Sequence, residues 1–154
     1  MNRLLLLVST SLLLLTSACG TDTGDPTKVK YAASLGVDLN AMNRSASGLY
    51  TQDLVVGTGT EATNGRIVKM HYTGWLPDGS RFDTSRDTPD KPFEFTLGKG
   101  TVIDGWEEGV VGMKVGGQRR LVIPSELGYG EAGYPGVIPG NSVLVFDVEL
   151  VSVR

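Results

Sequence analysis

The chain has 154 residues, 40% hydrophobic and 20% charged, with a formal net charge of −3. That length suits one domain once any leader is set aside. The slight acidic balance offers no basic stripe, which excludes nucleic acid as a partner, and the single cysteine excludes an internal disulfide.

In chain order, Asn2-Arg3 is a short basic start, residues 4–15 are almost wholly apolar, and Thr16-Ser-Ala-Cys19 supplies small residues. The apolar run is too short to span a bilayer comfortably and has the length of a signal-peptide core. Residues 1–19 are therefore expected to direct export. Cys19 follows Thr-Ser-Ala in a pattern that resembles a bacterial lipoprotein processing site, although Thr16 stands where such sites usually carry Leu, and Leu15 is one step further back. The expectation is lipidation of Cys19, which tethers the protein to a membrane of the cell envelope or periplasm without spanning it. The competing expectation is an ordinary cleaved signal with an incidental thiol.

Residues 20–47 read as a tether and arm. Residues 20–28 are small, polar and turn-rich, as in a flexible linker. Tyr31, Leu35, Val37, Leu39 and Met42 are too few apolar positions for a separate domain, so residues 31–42 are expected to dock on the main domain as an extended arm. Residues 43–48 form a loop.

The globular domain is expected over residues 48–154. Residues 49–56 read as a first strand. Residues 66–75 alternate, with Val68, Met70 and Tyr72 on one face and Ile67, Lys69 and His71 on the other. Pro77-Asp-Gly79 is a turn, residues 84–91 a polar loop, and Phe93, Phe95 and Leu97 share a strand face. A short helix follows. Asp104 with Glu107 suggests a capping box, Gly112 a stop, and Val102, Ile103, Trp106 and Val110 one apolar face. So short a helix is not stable alone and must lie against the strands. Residues 118–123 form another strand. Residues 125–141 hold too many Gly and Pro for helix or strand, and loops of that length are usually functional. The last strand places Leu144, Phe146, Val148 and Leu150 on one side and Val143, Val145, Asp147, Glu149 and Val151 on the other. Several strands and one helix without regular alternation indicate an α+β fold, an antiparallel sheet with the helix on one face.

Much chemistry is excluded. His71 is the sole histidine, so a Ser-His-Asp or Cys-His device and a His/Cys metal site lack their parts. Gly57-Thr-Gly59 and Gly98-Lys-Gly100 are too short for a phosphate loop. Glu107 and Glu108 are helix neighbours that diverge, unlike a glycosidase carboxylate pair. What remains is an apolar hollow where aromatic residues converge from several segments.

The segments His71-Tyr-Thr-Gly74, Gly79-Ser-Arg-Phe-Asp-Thr-Ser-Arg86, Pro92-Phe-Glu-Phe95, Val102-Ile-Asp-Gly-Trp-Glu-Glu-Gly109, Tyr129-Gly130, Gly133-Tyr-Pro-Gly-Val-Ile-Pro139 and Val143-Leu-Val-Phe-Asp-Val-Glu-Leu150 resemble FKBP-type peptidyl-prolyl cis-trans isomerases. The resemblance implies a curved antiparallel sheet wrapped around the short helix, with a substrate proline between them. It implies that Tyr72, Phe82, Asp83, Trp106, Tyr129 and Phe146 act on the bond, with Trp106 as floor and Phe82, Phe93 and Phe146 as walls. Phe93, Val102, Ile103, Tyr134, Val137 and Ile138 are implied to bind substrate, the Ile103 N–H and the Tyr129 hydroxyl taking its carbonyls. Proline-containing polypeptides and macrolide inhibitors such as rapamycin are the implied partners, and rotation about a bond calls for no metal and no cofactor. A monomer is expected. Two departures stand out: the loop at residues 87–91 lacks the arginine many members carry, leaving Asp83 without its usual partner, and Tyr134 stands where histidine is common. A binding module that merely holds partner proteins in the same pocket is the alternative from another class.

Overall fold

The computed structural model describes residues 23–87 and 91–154. Among these residues lie seven strands, β1 (Asn43–Arg44), β2 (Tyr50–Val55), β3 (Ile67–Trp75), β4 (Arg81–Thr84), β5 (Phe93–Thr96), β6 (Gln118–Ile123) and β7 (Leu144–Val153), and one helix, α1 (Asp104–Gly109). Every pairing is antiparallel, in the order β1-β2-β6-β7-β3-β4, and β5 also pairs with β3. β3 is long enough to hold β5 along its first half and β4 along its second.

Alternation sorts the side chains to two faces. Val68 and Met70 of β3, Leu121 and Ile123 of β6, and Leu144, Phe146, Val148 and Leu150 of β7 pack with Trp106, Val110 and Met113 into the core beneath α1. The opposite face is also buried at one end. There Tyr50, Val122, Val143 and Val145 form a second cluster with Leu35 and Met42 of the preceding arm, flanked by Val29, Tyr31, Val37, Leu39 and Trp75.

The helix sits unusually close to the sheet because two of its six residues are glycines on one side. A Cβ on Gly105 would lie 2.5 Å from Ile123 Cγ2, and one on Gly109 would lie 2.8 Å from Leu121 Cδ2. Glycine weakens an isolated helix by about 1 kcal/mol per residue relative to alanine; here the close approach to β6 offsets that cost. Trp106, next to Gly105, is driven down with the backbone and is only 5% exposed.

The helix start differs from the expected capping box. Ile103 is the N-cap, its carbonyl accepting from the Trp106 and Glu107 N–H groups at 2.9 and 3.1 Å, and Asp104 is already helical. The Glu107 carboxylate does reach back, but to the amides of Gly98 at 2.6 Å and Thr101 at 3.1 Å. It thereby ties down the turn before the helix rather than the helix end. The helix closes at Gly109, and Gly112 lies beyond it, donating to the Ala62 carbonyl at 2.9 Å.

The arm also departs from expectation. Packing begins before residue 28: Gly24 and Pro26 are buried, and the Tyr31 hydroxyl donates to the Pro26 carbonyl at 2.8 Å. Two 3-10 turns, Ala33–Leu35 and Leu39–Ala41, replace a continuously extended chain. They let Leu35 and Met42 both reach the valine-rich face, each contributing roughly 1.5–3 kcal/mol by burial. Arg120, paired with Asp147 through bonds of 2.7 and 2.8 Å, also donates to the Leu35 carbonyl and closes the arm over the sheet.

Replacing Gly105 with alanine improves helix propensity yet is expected to destabilise the fold by about 1–3 kcal/mol, because Ile123 is buried and cannot move aside. Urea unfolding of the variant measures this, and a gain in stability would contradict the close-packing account.

Candidate active site

Between α1 and the concave face lies a cavity of about 240 Å³, lined by Tyr72, Phe82, Asp83, Phe93, Thr101, Val102, Ile103, Trp106, Tyr129 and Phe146. The rings meet edge to face. Trp106 lies 4.9 Å from Tyr72, 5.3 Å from Phe146 and 5.8 Å from Phe93 between centroids, with interplanar angles of 74°, 78° and 75°. Phe82 meets Phe146 at 5.4 Å and 89°. Pairs of this geometry contribute roughly 0.5–1.5 kcal/mol each beyond area burial, so the walls hold one another upright without filling the space between them.

Gly74 makes that arrangement possible. It pairs with Phe146 across β7 and with Asp83 across β4, and a Cβ there would lie 2.6 Å from both the Phe146 and Phe82 rings.

Few polar groups face the hollow. The Tyr72 hydroxyl donates to Asp83 Oδ2 at 2.7 Å, and Asp83 Oδ1 accepts from the Thr84 amide at 2.8 Å. Tyr72 is thus the partner of Asp83; Arg81 pairs with Asp87 and Arg86 with Glu149. Burial pushes the Tyr72 phenol well above its ordinary range, with the hydrogen bond to Asp83 and the Asp83 charge adding to the shift. The Tyr129 phenol is also raised, by burial first and then by the charges of Asp83 and Tyr134. The Ile103 N–H and the Tyr129 hydroxyl have no acceptor among the described residues. The Trp106 Nε1–H also has no acceptor among them, but it is shut off from solvent.

The motif residues separate into those gathered at the cavity and those that are not. Tyr72, Phe82, Asp83, Phe93, Val102, Ile103, Trp106, Tyr129 and Phe146 all line it. Tyr134, Val137 and Ile138 do not. The tip of the 125–141 loop closes on itself through hydrogen bonds of 2.8 Å in both directions between Tyr134 and Ile138. That turn leaves Val137 45% exposed and sends Ile138 into the core. Tyr134 is 54% exposed and reaches the cavity only through its ring contact with Tyr129, at 5.9 Å. Thr101 lines the hollow without having been singled out in the sequence, where its small side chain carries no periodic signal; Glu107 holds it there through its amide.

The excluded residues are accounted for as well. His71 Nδ1 lies 3.0 Å from Ser85 Oγ, which also accepts from the Tyr72 amide at 2.9 Å, so it braces β3 against the end of β4. Glu108 turns away from Glu107 and accepts from Ser47 Oγ. Among the described residues no three His, Cys, Asp or Glu side chains gather as a metal site, and no helix is long and apolar enough to cross a membrane.

Residues 58–151 match the family model of the FKBP-type peptidyl-prolyl cis-trans isomerases. The chain belongs to that family. It is an enzyme of the same kind, a peptidyl-prolyl cis-trans isomerase. An FK506-binding protein of Neisseria meningitidis serogroup B is 53% identical over 106 residues, covering 69% of this chain and 96% of that protein. The peptidyl-prolyl cis-trans isomerase Fkbp12 of Drosophila melanogaster is 50% identical over 108 residues, covering 70% and 99%. Among solved structures, FkpA from Escherichia coli superposes with a TM-score of 0.67 at 45% identity, over 74% of this chain and 52% of that one. AtFKBP13 gives a TM-score of 0.68 at 41% identity, over 73% and 98%. The isomerase fold expected from the sequence, a curved antiparallel sheet with one short helix, is the fold observed.

Because both cavity phenols are raised from an ordinary pKa near 10, each keeps its proton as the solution turns alkaline, and kcat/KM should stay level from about pH 7 to about pH 9.5. A pH profile in a peptide isomerisation assay checks this, and a fall centred near pH 8.5 would contradict it.

Proposed function

We propose that this isomerase accelerates X–Pro rotation in polypeptides folding in the cell envelope, that a lipid on Cys19 holds it to a membrane, and that the aromatic cavity grips the amide while it is twisted. The uncatalysed barrier is about 18–20 kcal/mol, because the C–N bond must lose its partial double-bond character. No covalent intermediate is required. An apolar enclosure disfavours the planar, charge-separated form of the amide relative to water, and binding that is stronger for the twisted form lowers the barrier.

The prolyl ring rests on Trp106 between Phe82, Phe93 and Phe146. The observation that carries this reading is the pair of unsatisfied donors lining the same aromatic hollow, the Ile103 N–H and the Tyr129 hydroxyl. They take the carbonyls flanking the proline and hold the chain still while the bond turns. Asp83, accepting from Tyr72 and Thr84, keeps the Tyr72 wall in place and presents a carboxylate to the displaced carbonyl. Macrolide inhibitors with a proline-like ring, rapamycin among them, suit the same hollow and the same two donors. The relatives named as FK506-binding proteins support that ligand class.

Location rests on the basic, apolar and small-residue order of residues 1–19, since Cys19 lies outside the described residues. Residues 20–23 then serve as the link to the packed arm.

Tyr129→Phe removes one oxygen from a residue that is 38% exposed, so the fold should persist. Losing one net hydrogen bond is expected to lower kcat/KM about fivefold. Exchange NMR on a proline tetrapeptide reads the rate, and wild-type behaviour would remove Tyr129 from the mechanism. For location, mass spectrometry of the mature protein from membranes should show an acylated Cys19 at the N-terminus. A chain starting at Gly20, or an unmodified Cys19, would overturn the anchor.

A further inference from the structure

The loop at residues 125–141 carries Tyr129, and its base is built on buried polar contacts. The Ser125 carbonyl accepts from the Gly128 and Gly130 amides at 3.0 and 2.8 Å, and the Gly130 carbonyl accepts from the Asn141 amide at 2.8 Å. Ser125 and Ser142 are both buried, and Ser142 Oγ donates to the Pro139 carbonyl at 2.8 Å. Asn141 is the one non-glycine residue among those described with positive φ, at 58°. The loop is thus closed at its two ends by a small, tightly specified knot, and Tyr129 sits one residue from its centre.

The arm enters this knot. The Gly24 carbonyl accepts from the Ser125 amide at 3.0 Å. Gly24 has φ +74°, and a Cβ on it would collide with Ser125 Oγ, lie 2.9 Å from Ser125 Cβ and lie 3.5 Å from the Asn141 carbonyl oxygen. Only a residue with no side chain fits there, in the left-handed conformation that glycine alone adopts freely. One peptide of the arm therefore bonds one end of the loop at Ser125 and leaves no room for a side chain beside the other at Asn141. Two hydrogen bonds in series, Gly24 carbonyl to Ser125 amide and Ser125 carbonyl to Gly130 amide, connect it to the residue beside Tyr129. Gly24 lies outside the matched family domain, residues 58–151, whereas Ser125 and Asn141 lie within it.

We infer that Gly24 is a positioning residue for catalysis: by locking the arm into the base of the 125–141 loop it sets where the Tyr129 hydroxyl stands over the cavity, and so sets the affinity for the substrate peptide. The arm is then part of the substrate-binding apparatus as well as a cover for the sheet. The inference rests on the role given above to the Tyr129 hydroxyl, and its test separates the two.

In the full-length chain, Gly24→Val should free the loop base. Hydrogen exchange at the Ser125 and Gly130 amides should quicken, KM for a proline peptide should rise about fivefold, the equivalent of the lost hydrogen bond, and kcat should hold. A purely structural role would lower the thermal midpoint and leave KM where it was. The double variant with Tyr129→Phe completes the cycle: Gly24→Val should add nothing further to KM once the hydroxyl is gone. Faster exchange at both amides with wild-type KM would overturn the inference, as would a Gly24→Val penalty that persists undiminished in the Tyr129→Phe background. A Tyr129→Phe enzyme with wild-type KM would instead strike at the hydroxyl's role and remove the basis of the inference with it. Should the valine variant fail to fold, Gly24→Ala places a single methyl in the same space and is read by the same measurements.

Discussion

The constraint on which the rest depends is the distance between α1 and β6. Two glycines, Gly105 and Gly109, let the helix backbone come against Ile123 and Leu121, where any side chain would hold it off. Trp106 is lowered between them into the sheet's concave face, close enough for Tyr72 and Phe146 to meet it edge on. A helix of six residues has no independent stability. Its position is imposed by the sheet below, by Glu107 bonding the turn before it and by Glu108 bonding Ser47 beyond it. The cavity is then a by-product of packing: rings that stand perpendicular to one another brace the walls and leave a hollow that none of them can fall into.

The sheet pays no penalty for having two apolar faces at one end, because both are covered. α1 covers the concave side, and the arm covers Val122, Val143 and Val145 on the other. Arg120 joins the sheet to the arm, with its charge matched by Asp147 and its Nη1 donating to the Leu35 carbonyl. The site therefore stands on a strand framework held from both sides. This suits the proposed mechanism, in which a twisted bond is gripped more firmly than a flat one.

Strict periodicity made much of this legible in advance. The alternation of β3 and β7 identified the inward residues, and the helical spacing of Val102, Ile103, Trp106 and Val110 put the tryptophan on the buried face. What resisted reading were features whose meaning lies across space. Gly74, Gly105 and Gly109 look like ordinary punctuation until the rings and branched side chains opposite them are seen. β4 is four residues long, too short to show alternation, and β1 shorter still. Glu107 was visible as a carboxylate in a first turn, but its true partners, the Gly98 and Thr101 amides, follow from how the preceding turn folds back. The 125–141 loop was recognisable by its glycines and prolines, yet its closure through Tyr134 and Ile138, which separates those residues and Val137 from the cavity lining, is a matter of backbone pairing that composition does not encode.

The early docking of the arm bears on how far the enzyme can roam. Gly24 is already hydrogen-bonded to Ser125, only five residues after Cys19, and five residues fully stretched cover about 17 Å. A folded body of this size is roughly 35 Å across, so an acyl chain on Cys19 would give a leash shorter than the catalyst is wide. Such an enzyme could not sweep the surrounding compartment. It would work as a surface-hugging station, meeting prolines in chains that pass within a molecular diameter of the lipid headgroups.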